Sequence, residues 1–350
     1  MNDLLVSADS GALTILVLLD LSAAFDTVCH SILIERLETW LGISGTVLEW
    51  FKSYLTDRTQ FVVLENNKSN VGQVCHGVPQ GSVRGMILFN IYMLPLGQII
   101  RKHGLGFHFY ADDTQIYIST KTNIKGISAT LSDCQQEIKL WMYHDFLKLN
   151  GTKSEVLLVG TPAAACNGRN FSLHLENNVV SLLPQVRNLG VIFDSHLTLE
   201  AHIKSISKSA FFHLRNIARI RPFLSLPDAE RLVHALVTSR VDYCNALYLG
   251  LPAKSIKQLQ HIQNSAARVL THTPSRQHIS GVLRNLYWLL VQIFTMFLKA
   301  NNHVWNHTFV EHYIITLTIS LRKNKILSLS CVCVRHILYY RLPPTSLSEL

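Results

Sequence analysis

The sequence predicts an α+β fold followed by a mostly α-helical, basic region, and three observations carry that prediction. Apolar runs with strand length and period, such as ALTILVLLDL (12–21) and the flanks of FHFYADDTQIYIST (107–120), alternate with helical-period segments through the first half. From about Leu199 to residue 270 only the helical period persists. The charge balance changes in the same region: residues 1–160 carry 12 Lys/Arg against 15 Asp/Glu, whereas residues 201–270 carry 10 against 3. A soft boundary falls near residues 195–200.

Each element follows from its pattern. ALTILVLLDL reads as a buried strand running into Asp20. Ile32, Leu33, Leu37 and Leu41 recur at helical spacing, and a second helix starts after Ser44 with Val47, Leu48, Phe51 and Leu55 inward. TQFVVL (59–64) and VGQVCHG (71–77) read as paired strands across the polar turn ENNKSN. GVPQGS (77–82) is a turn ahead of an apolar helix, VRGMILFNIYML, that Pro95 is expected to end. The 107–120 hairpin follows, then a helix over 128–147 with Leu131, Cys134, Ile138, Trp141 and Phe146 on its apolar side. Strands resume at EVLLVG (155–160), FSLHL (171–175) and VRNLGVIFD (186–194).

Composition excludes several classes. With 48% hydrophobic and 16% charged residues the chain is not a disordered tail. Seven cysteines, an odd number without a CxxC pair, argue against a disulfide framework, a zinc site or a disulfide-linked partner, and for a reducing intracellular compartment. Nucleus and cytoplasm are not distinguished, and oligomeric state is not legible. No signal peptide is expected, and the runs 12–19 and 286–298 are too short to span a bilayer, so no membrane partner is expected.

The chemistry concentrates on three carboxylates. Asp20 closes a strand, and Asp112 and Asp113 sit side by side at a hairpin tip. Taken singly, each is a cap or turn former. Together they repel one another unless a cation lies between them. Mg²⁺ suits such hard oxygen ligands, and a pair of ions can clamp both oxygens of an in-line phosphoryl displacement.

LLDLSAAFD (18–26), GVPQGS (77–82), YADD (110–113), KLNGTKSEVLLVG (148–160) and NLGVIFD (188–194) stand in the order and spacing of reverse-transcriptase motifs A to E. With SYLTDRTQFV (53–62) and LPLGQII (94–100), the chain resembles the non-LTR, LINE-type (jockey-like) retrotransposon reverse transcriptases over about residues 13–290. The resemblance implies a ferredoxin-like polymerase palm over 1–198 with the fingers largely missing, a basic helical thumb-like region over 199–290, and a divergent tail over 291–350. It implies RNA-templated extension of a DNA primer with dNTPs, two Mg²⁺ ions (Mn²⁺ as a substitute), and RNA template and DNA primer as partners. Asp20, Asp112 and Asp113 match the metal ligands, and Lys153 matches the motif D lysine that meets charge on the leaving pyrophosphate. Phe25 matches the steric gate against ribose 2′-OH, Gln80 and Gly81 lie by the incoming nucleotide, and Leu189 and Gly190 fall in the primer grip. Read without the resemblance, Phe25 is core packing, Gln80 satisfies a turn, and Lys153 is a solvated turn lysine.

The basic half stands on its own argument. On a helix, Lys204, Lys208, Arg215 and Arg219 fall within an arc of about 60°, while Ile203, Ile206, Ala210, Leu214 and Ile217 share another. Such a stripe suits a nucleic-acid phosphate backbone, and a solvated helix face is the plain alternative. The sequence also departs from the resemblance. Arg84 stands where relatives carry an apolar residue, in a first helical turn whose dipole opposes it. Residues 301–340 hold a single acid, Glu311, and no period, as out-of-frame or decayed sequence would. Three rivals therefore stay open: a non-catalytic fragment that binds RNA or RNA–DNA hybrid, a palm enzyme using rNTPs, and a remnant that does not fold.

Overall fold

The computed structural model of the 350-residue chain describes residues 1–78, 82–121, 124–160, 172–175 and 178–291. They divide into two compact units, Met1–Leu197 and one beginning at Thr198. Gln80, Gly81 and the expected divergent tail beyond residue 291 lie outside the described residues.

In the first unit, α1 (Asn2–Asp9) leads into β1 (Leu13–Leu19), which is buried on both faces apart from Leu18. Helices α2 (His30–Thr39) and α3 (Gly45–Leu55) follow. An arm of four two-residue strands comes next: β2 (Thr59–Gln60), β3 (Val63–Leu64), β4 (Asn67–Lys68) and β5 (Gly72–Gln73). Then come α4 (Val83–Lys102), β6 (Gly106–Tyr110), β7 (Asp113–Thr120), α5 (Ile124–His144) and β8 (Glu155–Val159). The unit closes with β9 (Ser172–Leu175), β10 (Asn178–Leu183) and the hairpin β11 (Gln185–Asn188) and β12 (Val191–Asp194).

The main sheet has the order β6-β7-β1-β8-β10-β9. β1 pairs antiparallel with both β7 and β8. Strands β1, β6, β7 and β8, with helices between β1 and β6 and between β7 and β8, form the βαββαβ arrangement of a ferredoxin-like palm. Alternation along β1 turns Leu13, Ile15, Val17 and Leu19 into a core shared with Leu33 and Leu37 of α2, Phe89 and Leu96 of α4, and Leu131 and Ile138 of α5. On the other face the Thr14 hydroxyl donates to Ser7 Oγ of α1 at 2.7 Å.

Four local expectations give way to packing. Pro95 lies inside α4 instead of ending it. The one hydrogen bond lost with its missing N–H is outweighed by carrying Leu96 and Ile100, both 0% exposed, into the core. Val47 faces solvent while Leu48 and Leu55 are buried, because α3 packs on a narrower stripe than its apolar content implied. Phe146 lies past the end of α5, exposed and with φ of 55°. In the arm β2 pairs with β5 and β3 with β4, so the turn tightens to Glu65–Asn66. Strand β10, NVVSLL, is a strand beyond those the sequence pattern predicts, and it pairs parallel with β8.

The second unit is helical: α6 (Glu200–Ile220), α7 (Leu226–Val233), a π segment (His234–Thr238), α8 (Ser239–Asp242), α9 (Ala253–Thr271) and α10 (Ser280–Asn285). Buried Arg221 holds it together by donating from Nε and Nη2 to the Leu270 carbonyl, at 3.1 and 2.7 Å, and from Nη1 to that of Leu224 at 2.9 Å. These bonds satisfy an end carbonyl of α9 that the helix cannot pair itself.

Asp242 at the end of α8 sets a pH dependence. Burial pushes its carboxyl up to about 6 from an ordinary 3.8. A carboxyl raised in the folded state binds its proton more tightly there than in the unfolded chain. Its favourable contribution is thus complete at acid pH and is lost as pH rises from about 4 to about 6. Asp242→Asn is expected to stabilise the unit at pH 7 by up to about 3 kcal/mol, less what solvent screening removes. Chemical denaturation of both proteins across that window checks it: the stability difference should shrink toward pH 4, and a constant difference would count against the burial argument.

Candidate active site

The backbone brings three acids to one end of the interior strands β1 and β7. Leu19 faces Thr114 across the β1–β7 ladder, so Asp20 and Asp113 are the next pair along and share a face. Tyr110 pairs with Asp113, which leaves Ala111 and Asp112 as a two-residue tip. Ala111 holds a left-handed φ of 55°, the kind of conformation that costs a non-glycine residue about 1 kcal/mol and persists where its surroundings impose it.

The carboxylates feel one another. The Asp113 carboxyl is held above its ordinary range, first by loss of surrounding water and then by the charges of Asp112 and Asp20. Asp20 Oδ2 is buried and accepts no hydrogen bond. Its nearest cation is the Lys153 ammonium at 3.6 Å, on a side chain that is 70% exposed. Lys153 reaches it through a tight turn. Asn150 N–H donates to the Asp20 carbonyl at 2.8 Å, and the Asn150 carbonyl accepts from the N–H groups of Lys153 and Ser154, both at 3.1 Å.

This donor set fits a hard divalent cation. It offers carboxylate oxygens without thiol or imidazole, one of them buried and lacking a donor, and a local excess of negative charge. Among the described residues no three Asp, Glu, His or Cys side chains are grouped so as to enclose an ion. The acids lie within reach of each other's charge without forming a closed shell.

The loops beside the acids are interlocked. Phe25 is half-buried, its ring stacked on that of core residue Phe89 at 4.7 Å, so its orientation is fixed from behind. The Phe25 carbonyl accepts from Val78 N–H at 2.8 Å, and Gly77 N–H donates to the Val28 carbonyl at 2.7 Å. Gly77 has φ of +90°, and a Cβ there would meet the Asp26 carbonyl oxygen at 3.2 Å and its Cα at 3.3 Å, so glycine is required. Past the segment holding Gln80 and Gly81, Ser82 Oγ caps α4 by accepting from Gly85 N–H at 2.9 Å.

Leu189 and Gly190 form the turn of the β11–β12 hairpin, with φ of 45° and 82°. A two-residue hairpin turn of the I′ type needs this pair of left-handed conformations, which leucine adopts reluctantly. A bond that sequence reading missed ties this hairpin to the acids. Gln115 Nε2, two residues beyond Asp113, donates to Asn188 Oδ1 at 2.9 Å.

In the second unit, Lys204, Lys208, Arg215 and Arg219 are all exposed on α6, and Ile203, Ile206, Ala210, Leu214 and Ile217 are all buried. Arg84 is exposed as well. Its guanidinium lies 4.7 Å from the Trp50 ring centre and 5.8 Å from that of Tyr54. Cation–π attraction of roughly 0.5–1 kcal/mol at an exposed site offsets a helix-dipole cost of similar size.

No helix among the described residues is long and apolar enough to cross a membrane. Over residues 4–193 the chain matches the family model described as reverse transcriptase (RNA-dependent DNA polymerase). It is 26% identical over 279 residues to the probable RNA-directed DNA polymerase from transposon BS of Drosophila melanogaster, covering 74% of this chain and 29% of that protein. To the RNA-directed DNA polymerase from mobile element jockey of the same fly it is 23% identical over 278 residues, covering 77% of this chain and 29% of that protein. Among solved structures, telomerase from Candida albicans in complex with a TWJ fragment of telomeric RNA is similar with a TM-score of 0.44 at 12% identity, covering 83% of this chain and 54% of that one. The chain thus spans 29% of the length of the two fly relatives.

Proposed function

The chain belongs to the reverse transcriptase (RNA-dependent DNA polymerase) family, and on that premise we propose that it forms the palm and thumb-like region of a non-LTR retrotransposon polymerase, extending a DNA primer on an RNA template with dNTPs. The observation that carries this reading is the meeting of Asp20, Asp112 and Asp113 at one end of strands β1 and β7, where Asp113 feels the charge of both others.

Divalent metal ions are what this family uses, and two Mg²⁺ ions, with Mn²⁺ as a substitute, would activate the primer 3′-OH and neutralise charge on the nucleotide phosphates when bound. Asp20, Asp112 and Asp113 are the residues to hold them. Lys153, already drawn toward Asp20 at 3.6 Å, carries an ammonium suited to negative charge building on departing pyrophosphate. Phe25, backed by Phe89, presents a ring that cannot retreat from a ribose 2′-OH. Gln80 and Gly81 flank the nucleotide in this reading, and Leu189 and Gly190 hold the primer terminus at a distance set partly through Gln115 and Asn188. Lys204, Lys208, Arg215 and Arg219 grip phosphates of the duplex without reading sequence. Residues 1–198 are the palm and 199–290 the thumb-like region.

Primer extension on an RNA template tests the proposal. The chain should incorporate dNTPs with MgCl₂ and stop when EDTA removes the metal. Phe25→Ala should raise rNTP use relative to dNTP use by about tenfold or more, because the excluded volume is a whole ring. Unchanged discrimination would remove Phe25 from the gate. Salt-sensitive duplex binding without any incorporation would overturn the polymerase reading in favour of a non-catalytic binding fragment.

A further inference from the structure

Helix α3, the chain just after it and the first turn of α4 carry a partly exposed cluster that none of the roles above uses. Trp50 and Tyr54 stack with ring centres 5.4 Å apart and planes within 10° of parallel. Arg84 lies against both rings, at 4.7 and 5.8 Å, and Arg58 lies against Tyr54 at 5.8 Å. Trp50 is still 43% exposed. Neither guanidinium has a carboxylate partner among the described residues. Arg58 also borders an open groove of about 570 Å³, whose walls include Gln60, Gln73 and residues 74–78. Gly77 and Asp26 also line that groove, and Gly77 packs against the backbone of Phe25 and Asp26.

We infer that this cluster is a stacking platform for unpaired nucleotides of single-stranded nucleic acid, which the groove then leads toward the carboxylates. The inference rests on the proposed polymerase reading only in taking that strand to be the template. The chemistry selects the ligand. An aromatic ring that reaches solvent, as Trp50 does, stacks on any base, and guanidinium planes both stack on bases and pair with phosphates. An acidic peptide has use for the two arginines but none for the rings. An apolar segment has use for the rings but leaves two uncompensated cations against it. A duplex keeps its base faces covered. Arg84 matters because it turns what an apolar side chain would leave as a greasy helix junction into a cationic one.

Binding of a fluorescein-labelled single-stranded uridine 12-mer to the full 350-residue chain is measured by anisotropy, with a matching abasic strand, a duplex and polyglutamate as comparators. Trp50→Ala should weaken binding of the 12-mer about tenfold and leave the abasic strand nearly unaffected. Trp50→Phe, which keeps a ring in place, should retain most of the affinity and guards against a mere folding defect. Arg84→Leu should weaken both strands, and duplex affinity should not move. Equal affinity of Trp50→Ala and the unaltered chain for the 12-mer would sink the inference. So would equal losses for the 12-mer, the abasic strand and polyglutamate, which would mark a surface for acidic protein instead. Primer extension separates the two readings. Incorporation with Trp50-independent strand binding overturns the platform alone. Trp50-dependent strand binding without incorporation overturns the polymerase alone.

Discussion

Asp20→Asn should slow primer extension on the order of a thousandfold while raising the stability of the metal-free protein. The two effects have one origin. Asp20 Oδ2 is buried without a hydrogen bond, and its charge adds to that of Asp112 in pushing the Asp113 carboxyl upward. Asparagine keeps the shape and removes one of three repelling charges, so the folded state should gain roughly 1 kcal/mol when no cation is present. The same change deletes a ligand, so the stabilisation conferred by MgCl₂ should shrink together with turnover. The doubly substituted Asp112→Ala, Asp113→Ala chain should lose extension to a similar floor. Adding Asp20→Asn to it should cost little more, because residues acting as one unit do not contribute multiplicatively. Melting with and without MgCl₂, alongside extension rates, gives the answer. A metal-free melting temperature that falls on Asp20→Asn would show that Asp20 is a structural cap and not a strained ligand.

Much of this site could be seen in the sequence because it is local. The strand into Asp20 and the tip at Asp112 and Asp113 are each encoded within about a dozen residues, where apolar period and turn chemistry act directly. The apolar pattern of 186–194 predicts one strand, and the structure instead folds it into the β11–β12 hairpin about Leu189 and Gly190. What escaped the sequence depends on contacts between distant segments. Gln115 and Asn188 are 73 positions apart, and neither stands out in its own strand. Pro95 is a helix breaker by any local rule, and only the burial of Leu96 and Ile100 shows why α4 continues. Local pattern alone does not say whether Arg84, in a slot that relatives fill with an apolar residue, is buried or turned outward. The structure turns it outward onto Trp50, a choice made by the partner helix and not by the motif. Arg36 is the plainest omission. It falls on the same helical arc as Leu33 and Leu37, and a charge on an apolar face of that kind signals a buried partner.

That partner makes the largest stability prediction. Arg36 and Asp145 are 7% and 6% exposed, and the Arg36 guanidinium donates to the Asp145 carboxylate and to the Tyr92 carbonyl. It also lies 4.5 Å from the Tyr92 ring centre and 5.5 Å from that of Trp141. Burial pushes the Tyr92 phenol up to about 12, so it stays protonated and donates to the Asp145 carbonyl at 2.7 Å. Helices α2, α4 and the end of α5 thus meet at one charged knot. From Asp145 the chain runs on to Asn150 and Lys153 beside Asp20, and the Lys148 carbonyl accepts from Ser22 N–H at 2.9 Å. Arg36→Ala strands a buried carboxylate and should cost about 3–5 kcal/mol, or roughly 10 °C in melting temperature for a unit of this size. The pH profile separates this account from simple loss of packing. Burial already holds the Asp145 carboxyl above its ordinary range while Arg36 pulls it down, so without Arg36 it rises further. The stranded charge can then be relieved by a proton, and the deficit of Arg36→Ala should shrink as the solution is acidified. Asp145→Asn strands the guanidinium instead, which has no such escape because arginine does not give up its proton. Its deficit should be comparable at pH 7 and should persist into acid. If both deficits fade alike as pH falls, the knot is held by its packing on Tyr92 and Trp141 and not by the ion pair.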